Sequence, residues 1–126
     1  MRSLVTALII AALLTLGSEI YMIRLENTSE ELSEINTEVF EAINNDDYET
    51  ALGHIDELSE KMDSTEMFFG AMGNHEETDK INMSIAELRG YAEEERRADA
   101  AAKCRVLRFL FGHLPENSRL KIENIL

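Results

Sequence analysis

Apolar residues recur along this chain in two rhythms. From Leu4 to Leu16 they form an almost unbroken run, preceded by Arg2 and the amino terminus. Beyond Arg24 they thin to a helical spacing: Leu25, Leu32, Ile35, Val39 and Ile43. Those positions make one stripe down a helix, and Glu26, Glu30, Glu31, Glu34, Glu38 and Glu41 fill the other faces. The pattern predicts a single helix that leaves the apolar run and continues to about Ile43. The polar group Asn44–Asp47 closes it and caps the next helix.

A second helix is expected from about Asp47 to Met72, with Tyr48, Ala51, Leu52, Ile55, Leu58, Met62 and Phe69 as its stripe. Gly53 inside it marks a possible close helix contact. Gly73 can stop this helix as a residue just past its end. Asn74 then serves as the cap of a third helix, with Glu77 three residues on as a capping box. Glu76, Glu77 and Asp79 place negative charge at the positive end of the helix dipole. Ile81, Ile85, Leu88 and Ala92 form the third stripe. A charged turn, Glu93 to Asp99, leads to a fourth helix expected from about Asp99 to Gly112. Its stripe is Ala100, Cys104, Leu107 and Phe111, widened by Phe109 and Leu110. Pro115 cannot continue the backbone ladder, so the helix is expected to end there. The tail Ser118–Leu126 then docks as an extended segment or a last turn.

The apolar run has two readings. Leu4 to Leu16 alone covers ~20 Å at ~1.5 Å per residue, the length of a signal-peptide core. The apolar character resumes, however, at Ile20, Met22 and Ile23, which gives about twenty residues and enough length to span a bilayer. Tyr21 would be an interfacial aromatic. The residues before Gly17 and Ser18 make a poor cleavage site, and no cysteine follows the run for lipid attachment. An uncleaved anchor is therefore the favoured reading, with secretion after signal cleavage as the alternative. Arg2 keeps the amino terminus cytoplasmic and sends residues 25–126 outside. Residues 1–24 are then the anchor and 25–126 an extracytoplasmic helical domain.

Composition narrows the function. The net charge is −13, and from Glu26 to Asp79 the single base is Lys61. Such a surface lacks the basic footprint that nucleic acids require. Bases gather instead near the carboxyl end, in Arg96, Arg97, Lys103, Arg105 and Arg108, which suits a last helix packed beside acidic ones. The lone Cys104 excludes an internal disulfide and falls on an apolar stripe, as a core thiol would. An exported chain without a disulfide fits a bacterial envelope. No nucleophile elbow, phosphate-binding loop or EF-hand loop is present, so no enzyme, catalytic residue or cofactor is expected.

Two features stand out as candidate surfaces. Met67, Phe68, Phe69 and Met72 lie in a stretch apolar on several faces, which suits a buried helix end or an adaptable patch for a partner. His75 and Asp79 stand one helical turn apart. With His113 they form a possible ligand end, although two ligands fall short of a metal site and no metal is expected there.

The segments "DDYETALGHIDELSEKM", "NHEETDKINMSIAELRGY" and "LRFLFGHLPENSRLKIENIL", following a short apolar anchor and an acidic helix, resemble the bacterial domain-of-unknown-function family four-three-six-three. The resemblance is most specific at His75-Glu76-Glu77, Ile81 to Ile85, and Phe109 to Pro115. It implies an anchored helical domain of unassigned activity in Gram-positive, spore-forming and related bacteria, with a multi-pass membrane protein as partner. The fourth helix departs from the family in being richer in Ala and Arg and poorer in Glu. Taken together, the expectation is an all-α protein: an N-terminal transmembrane helix continuing into an antiparallel bundle of about four helices. It would act as an interaction module on the outer face of the membrane, a role compatible with a homo-oligomer. The alternative is an extracytoplasmic sensor for a small ligand or cation.

Overall fold

A computed structural model describes residues 1–69 and 75–125, with side chains described for 1–67 and 75–116. The described residues form four helices and no strand: α1 (Arg2–Asn44), α2 (Tyr48–Phe69), α3 (His75–Glu93) and α4 (Arg97–Ile125). α1 packs on α2 and α4, and α3 packs on the same two helices. The four therefore stand at the corners of a square, each antiparallel to its neighbours in the chain. This is an up-down-up-down bundle, the arrangement that short connections favour.

The buried positions of α1 explain how it joins the bundle. They are Met22, Leu25, Ser29, Leu32, Asn36, Val39 and Ile43, at alternating steps of three and four, with Ala42 beside them. A strict three-four alternation gives a narrow coiled-coil-like seam. Ser29 and Asn36 are the two polar members of that seam, and both reach across to backbone carbonyls of α4. The Ser29 hydroxyl donates to the Phe111 carbonyl at 2.5 Å, and Asn36 Nδ2 donates to the Cys104 carbonyl at 2.8 Å. Seven residues separate each pair on both helices, so these two bonds fix the register of α1 against α4.

The stripes expected for the other helices are largely the core. Ala51, Ile55, Leu58 and Met62 of α2, Ile81, Ile85, Leu88 and Ala92 of α3, and Ala100, Cys104, Leu107 and Phe111 of α4 are all buried. Ile35, Tyr48, Leu52 and Leu110 are half-buried around them. Three expectations need correction. Phe109 does not widen the stripe but faces solvent at 62 % exposure. A Cβ at Gly53 would meet nothing within 4 Å, so that glycine marks no close helix contact. And α4 begins at Arg97 and does not stop at Gly112: it runs through Pro115 to Ile125, so the tail is helical.

The reason for this last difference lies on α1. Pro115 has no N–H to give to the carbonyl four residues earlier, which is that of Phe111. Ser29 supplies the missing donor from the neighbouring helix. A carbonyl stranded in the core costs free energy, and the hydroxyl removes that cost. Gly73 and Asn74, expected to stop α2 and cap α3, lie outside the described residues.

Two turns close the far end of the bundle, and they are built alike. In the first, Asp46 donates to the Ile43 carbonyl at 3.0 Å and Asp47 to that of Ala42 at 2.9 Å. In the second, Glu95 donates to the Ala92 carbonyl at 3.1 Å and Arg96 to that of Tyr91 at 2.9 Å. Both are Schellman closures, and their left-handed positions hold Asp46 (φ 57) and Glu95 (φ 55) where glycine is usual. Arg97 links the turns by an ion pair to Asp46, with Nε at 3.1 Å from Oδ1.

Asp47 caps α2. Its carboxylate accepts from the Thr50 amide at 3.2 Å and the Thr50 hydroxyl at 2.7 Å. These bonds hold its pKa below the ordinary 3.8. A lowered native pKa contributes stability that is present above the ordinary value and lost as pH falls through the native one. Asp47→Ala is therefore expected to lower the thermal midpoint at neutral pH. Melting curves between pH 6 and pH 2 check this, because the gap between variant and wild type should close only below about pH 3.8.

Candidate functional site

The first half of α1 buries nothing. Leu4, Leu8, Leu13 and Leu16 are each more than half exposed, and the helix is long and apolar enough to cross a membrane. Three of its hydroxyls bond back to their own helix: Thr6 to the Arg2 carbonyl at 2.8 Å, Thr15 to Ala11 at 2.9 Å, and Ser18 to Thr15 at 2.9 Å. Hydroxyls satisfied in this way can sit in hydrocarbon without an unmet donor. Packing into the bundle starts at Tyr21 and Met22, whereas Ile20 and Ile23 still point outward. The apolar surface and the bundle surface thus overlap by about one turn, and no break in the helix separates them.

Between α1 and α2 lies an open polar cleft of about 330 Å³, lined by Arg24, Asn27, Thr28, Glu31, Lys61, Ser64 and Thr65. Lys61 spans it in an ion pair with Glu31. One to two turns further from the apolar segment, the same two helices bring together the one group of His, Cys, Asp and Glu side chains that converges among the described residues. This group is Glu38 from α1 with His54 and Glu57 from α2. His54 Nδ1 lies 3.1 Å from Glu38 Oε2 and 3.0 Å from Glu57 Oε1. His54 and Glu57 share a face because they are three apart on one helix. Their chain neighbours Ile55 and Leu58, and Val39 beside Glu38, are fully buried. Those anchors hold the three backbones firmly while the side chains stay open to water.

The residues singled out from sequence lie elsewhere. His75 and Asp79 are exposed on the first turns of α3, where the Thr78 hydroxyl donates to the His75 carbonyl at 3.0 Å. His113 is exposed on α4, stacks on Phe109 with ring centroids 4.0 Å apart, and donates from Nδ1 to the Phe109 carbonyl at 2.9 Å. His75, Asp79 and His113 do not form a group of converging ligand atoms among the described residues. Met67 is exposed at 83 %, while Phe68, Phe69 and Met72 lie outside the described side chains. The spacing His54-x-x-Glu57 was visible in the sequence. Its third member was one glutamate among many, and only the packing of α1 on α2 singles it out.

Cys104 is a core residue. Burial pushes its thiol up to about 12, with Arg108 pulling weakly the other way. A thiol held protonated is a poor nucleophile. Alkylation by iodoacetamide at pH 8 should be negligible in the folded chain and complete in denaturant, which mass spectrometry reads directly.

These features define a class: an all-α chain in which a helix long and apolar enough to span a bilayer runs on, unbroken, as one strand of an antiparallel four-helix bundle. The comparison with known families agrees. Residues 20–125 match the domain of unknown function DUF4363, and the chain belongs to that family. No curated protein and no solved structure matches it.

Proposed function

We propose that this protein is a single-pass, membrane-anchored accessory module without catalytic activity, whose helical bundle lies on the outer face of a bacterial membrane and serves a membrane partner. The carrying observation is the apolar first half of α1, which stays wholly outside the bundle although it belongs to a bundle helix. A soluble bundle gains nothing from an exposed stretch of this size, whereas a bilayer rewards it. Arg2 and the amino terminus at its start favour the orientation with the amino terminus inside. The acidic surface is the face that a partner with cationic loops would meet.

Fractionation of membranes tests the anchor. The wild-type chain should remain in the pellet after alkaline carbonate washing. Each arginine at the centre of the span costs about 2.5–3.5 kcal/mol on insertion scales, so Ile9→Arg with Leu13→Arg should move the chain to the soluble fraction. Wild-type protein found in the wash would end the anchored reading. A tagged chain recovered from mild detergent without a near-stoichiometric membrane companion would end the accessory one.

A further inference from the structure

We infer that Glu38, His54 and Glu57 form a binding site for one zinc-class divalent cation, held between α1 and α2. The inference stands apart from the membrane role, because all three residues belong to the bundle.

The argument starts from the charge arrangement. Four other carboxylates are drawn across from one part of the bundle to another, and each meets a permanent cation: Glu31 meets Lys61, Asp56 meets Arg89, Asp46 meets Arg97 and Glu87 meets Lys103. Glu38, which reaches from α1 to α2, meets only His54, and so does Glu57 from within α2. Among the described residues no lysine or arginine bridges to either, and both point at the same nitrogen of His54. A ring nitrogen carries at most one proton, so it can donate fully to only one of two carboxylates. A dication at the same place would serve both carboxylates and the nitrogen lone pair together.

The geometry is close to what such an ion requires. Zinc bonds of about 2.0–2.2 Å in a tetrahedron place ligand atoms ~3.4 Å apart. The nitrogen-to-oxygen separations here are 3.1 and 3.0 Å, and the three ligand atoms all lie within 4.8 Å of one another. Small side-chain rotations reconcile the two sets, and the buried neighbours Val39, Ile55 and Leu58 keep the helices in place meanwhile. One imidazole with two carboxylates is a donor set for zinc and its transition-metal neighbours, while calcium and magnesium prefer oxygen alone. Three protein ligands leave a fourth position for water. The His54 side chain is 25 % exposed and the two glutamates about twice that, so an ion can enter from solvent.

The test is a zinc titration of the full chain in detergent micelles after stripping with a chelator, read by calorimetry. Cobalt(II) is added in parallel and read by its visible absorption. The expected result is saturable one-to-one binding of zinc, unaffected by excess calcium or magnesium. Glu38→Gln and His54→Ala should each weaken it by at least the roughly 10- to 100-fold that outer-shell changes cost at other metal sites. His75→Ala and His113→Ala should leave it unchanged. Should His54→Ala fail to fold, Glu38→Gln and Glu57→Gln decide the matter, since both sites are exposed. Absence of saturable zinc binding overturns the inference, as does binding that survives the glutamate variants.

Discussion

Asn36→Asp is expected to destabilise the bundle by about 3 kcal/mol or more, the cost of burying an unpaired charge. Asn36 is 3 % exposed, and its Nδ2 donates to the Cys104 carbonyl at 2.8 Å. A carboxylate there would set an acceptor against an acceptor in the core. The loss should carry its own signature. Burial raises the native pKa of the new acid above its unfolded value, so the variant is penalised at neutral pH and recovers as pH falls and the acid becomes a donor. Asn36→Leu makes the contrast. Asn36 Oδ1 is buried without a partner, so leucine removes one hydrogen bond together with one unmet acceptor. That exchange should leave stability within about 1 kcal/mol of wild type. Denaturant melts of both variants at pH 7 and pH 4 check the pair. An aspartate variant as stable as wild type at pH 7 would refute a buried seam at this position.

The second large effect is a coupling rather than a single loss. Ser29→Ala strands the Phe111 carbonyl, whose own helical donor is absent at Pro115, and should cost about 1–3 kcal/mol. Pro115→Ala restores an amide at that place and should raise stability, since the ring no longer crowds the preceding turn. In the Pro115→Ala background, Ser29→Ala should cost less than about 1 kcal/mol, because the carbonyl now has a donor within α4. The two substitutions are therefore expected to be strongly non-additive, which a double-mutant cycle measures. Additive effects would mean that the short Ser29–Phe111 contact does not compensate the proline.

The same pair shows what was legible in the sequence. The stripes of α2 and α3 and the turn at Asn44–Asp47 could be read locally, because apolar spacing and turn residues act over a few positions. The family could be read from whole segments. The end of α4 could not. Pro115 is a stop signal unless a donor arrives from outside, and that donor, Ser29, sits on another helix 82 residues from the Phe111 carbonyl it serves. Ser29 and Asn36 were equally hidden: as polar residues they fall outside an apolar stripe, yet they complete the three-four alternation from Met22 to Ile43. The converging trio was beyond local reading too, because Glu38 resembles its acidic neighbours on α1. Its meeting with His54 depends on the rotation of α1 against α2, which is fixed by the whole core.

The continuity of α1 has a consequence for orientation. A helix turns ~100° and rises ~1.5 Å with every residue. With no break from Arg2 to Asn44, the number of residues between the apolar surface and Leu25 sets the compass direction in which the bundle faces. One residue inserted at Gly17, where there is open space around the backbone, would swing the Glu38–His54–Glu57 face through more than a quarter of a circle while leaving every contact within the bundle intact. Two inserted residues would turn it nearly to the opposite side. Anything seated next to the apolar segment therefore meets one chosen face of the bundle, and residue count, rather than any contact, makes the choice.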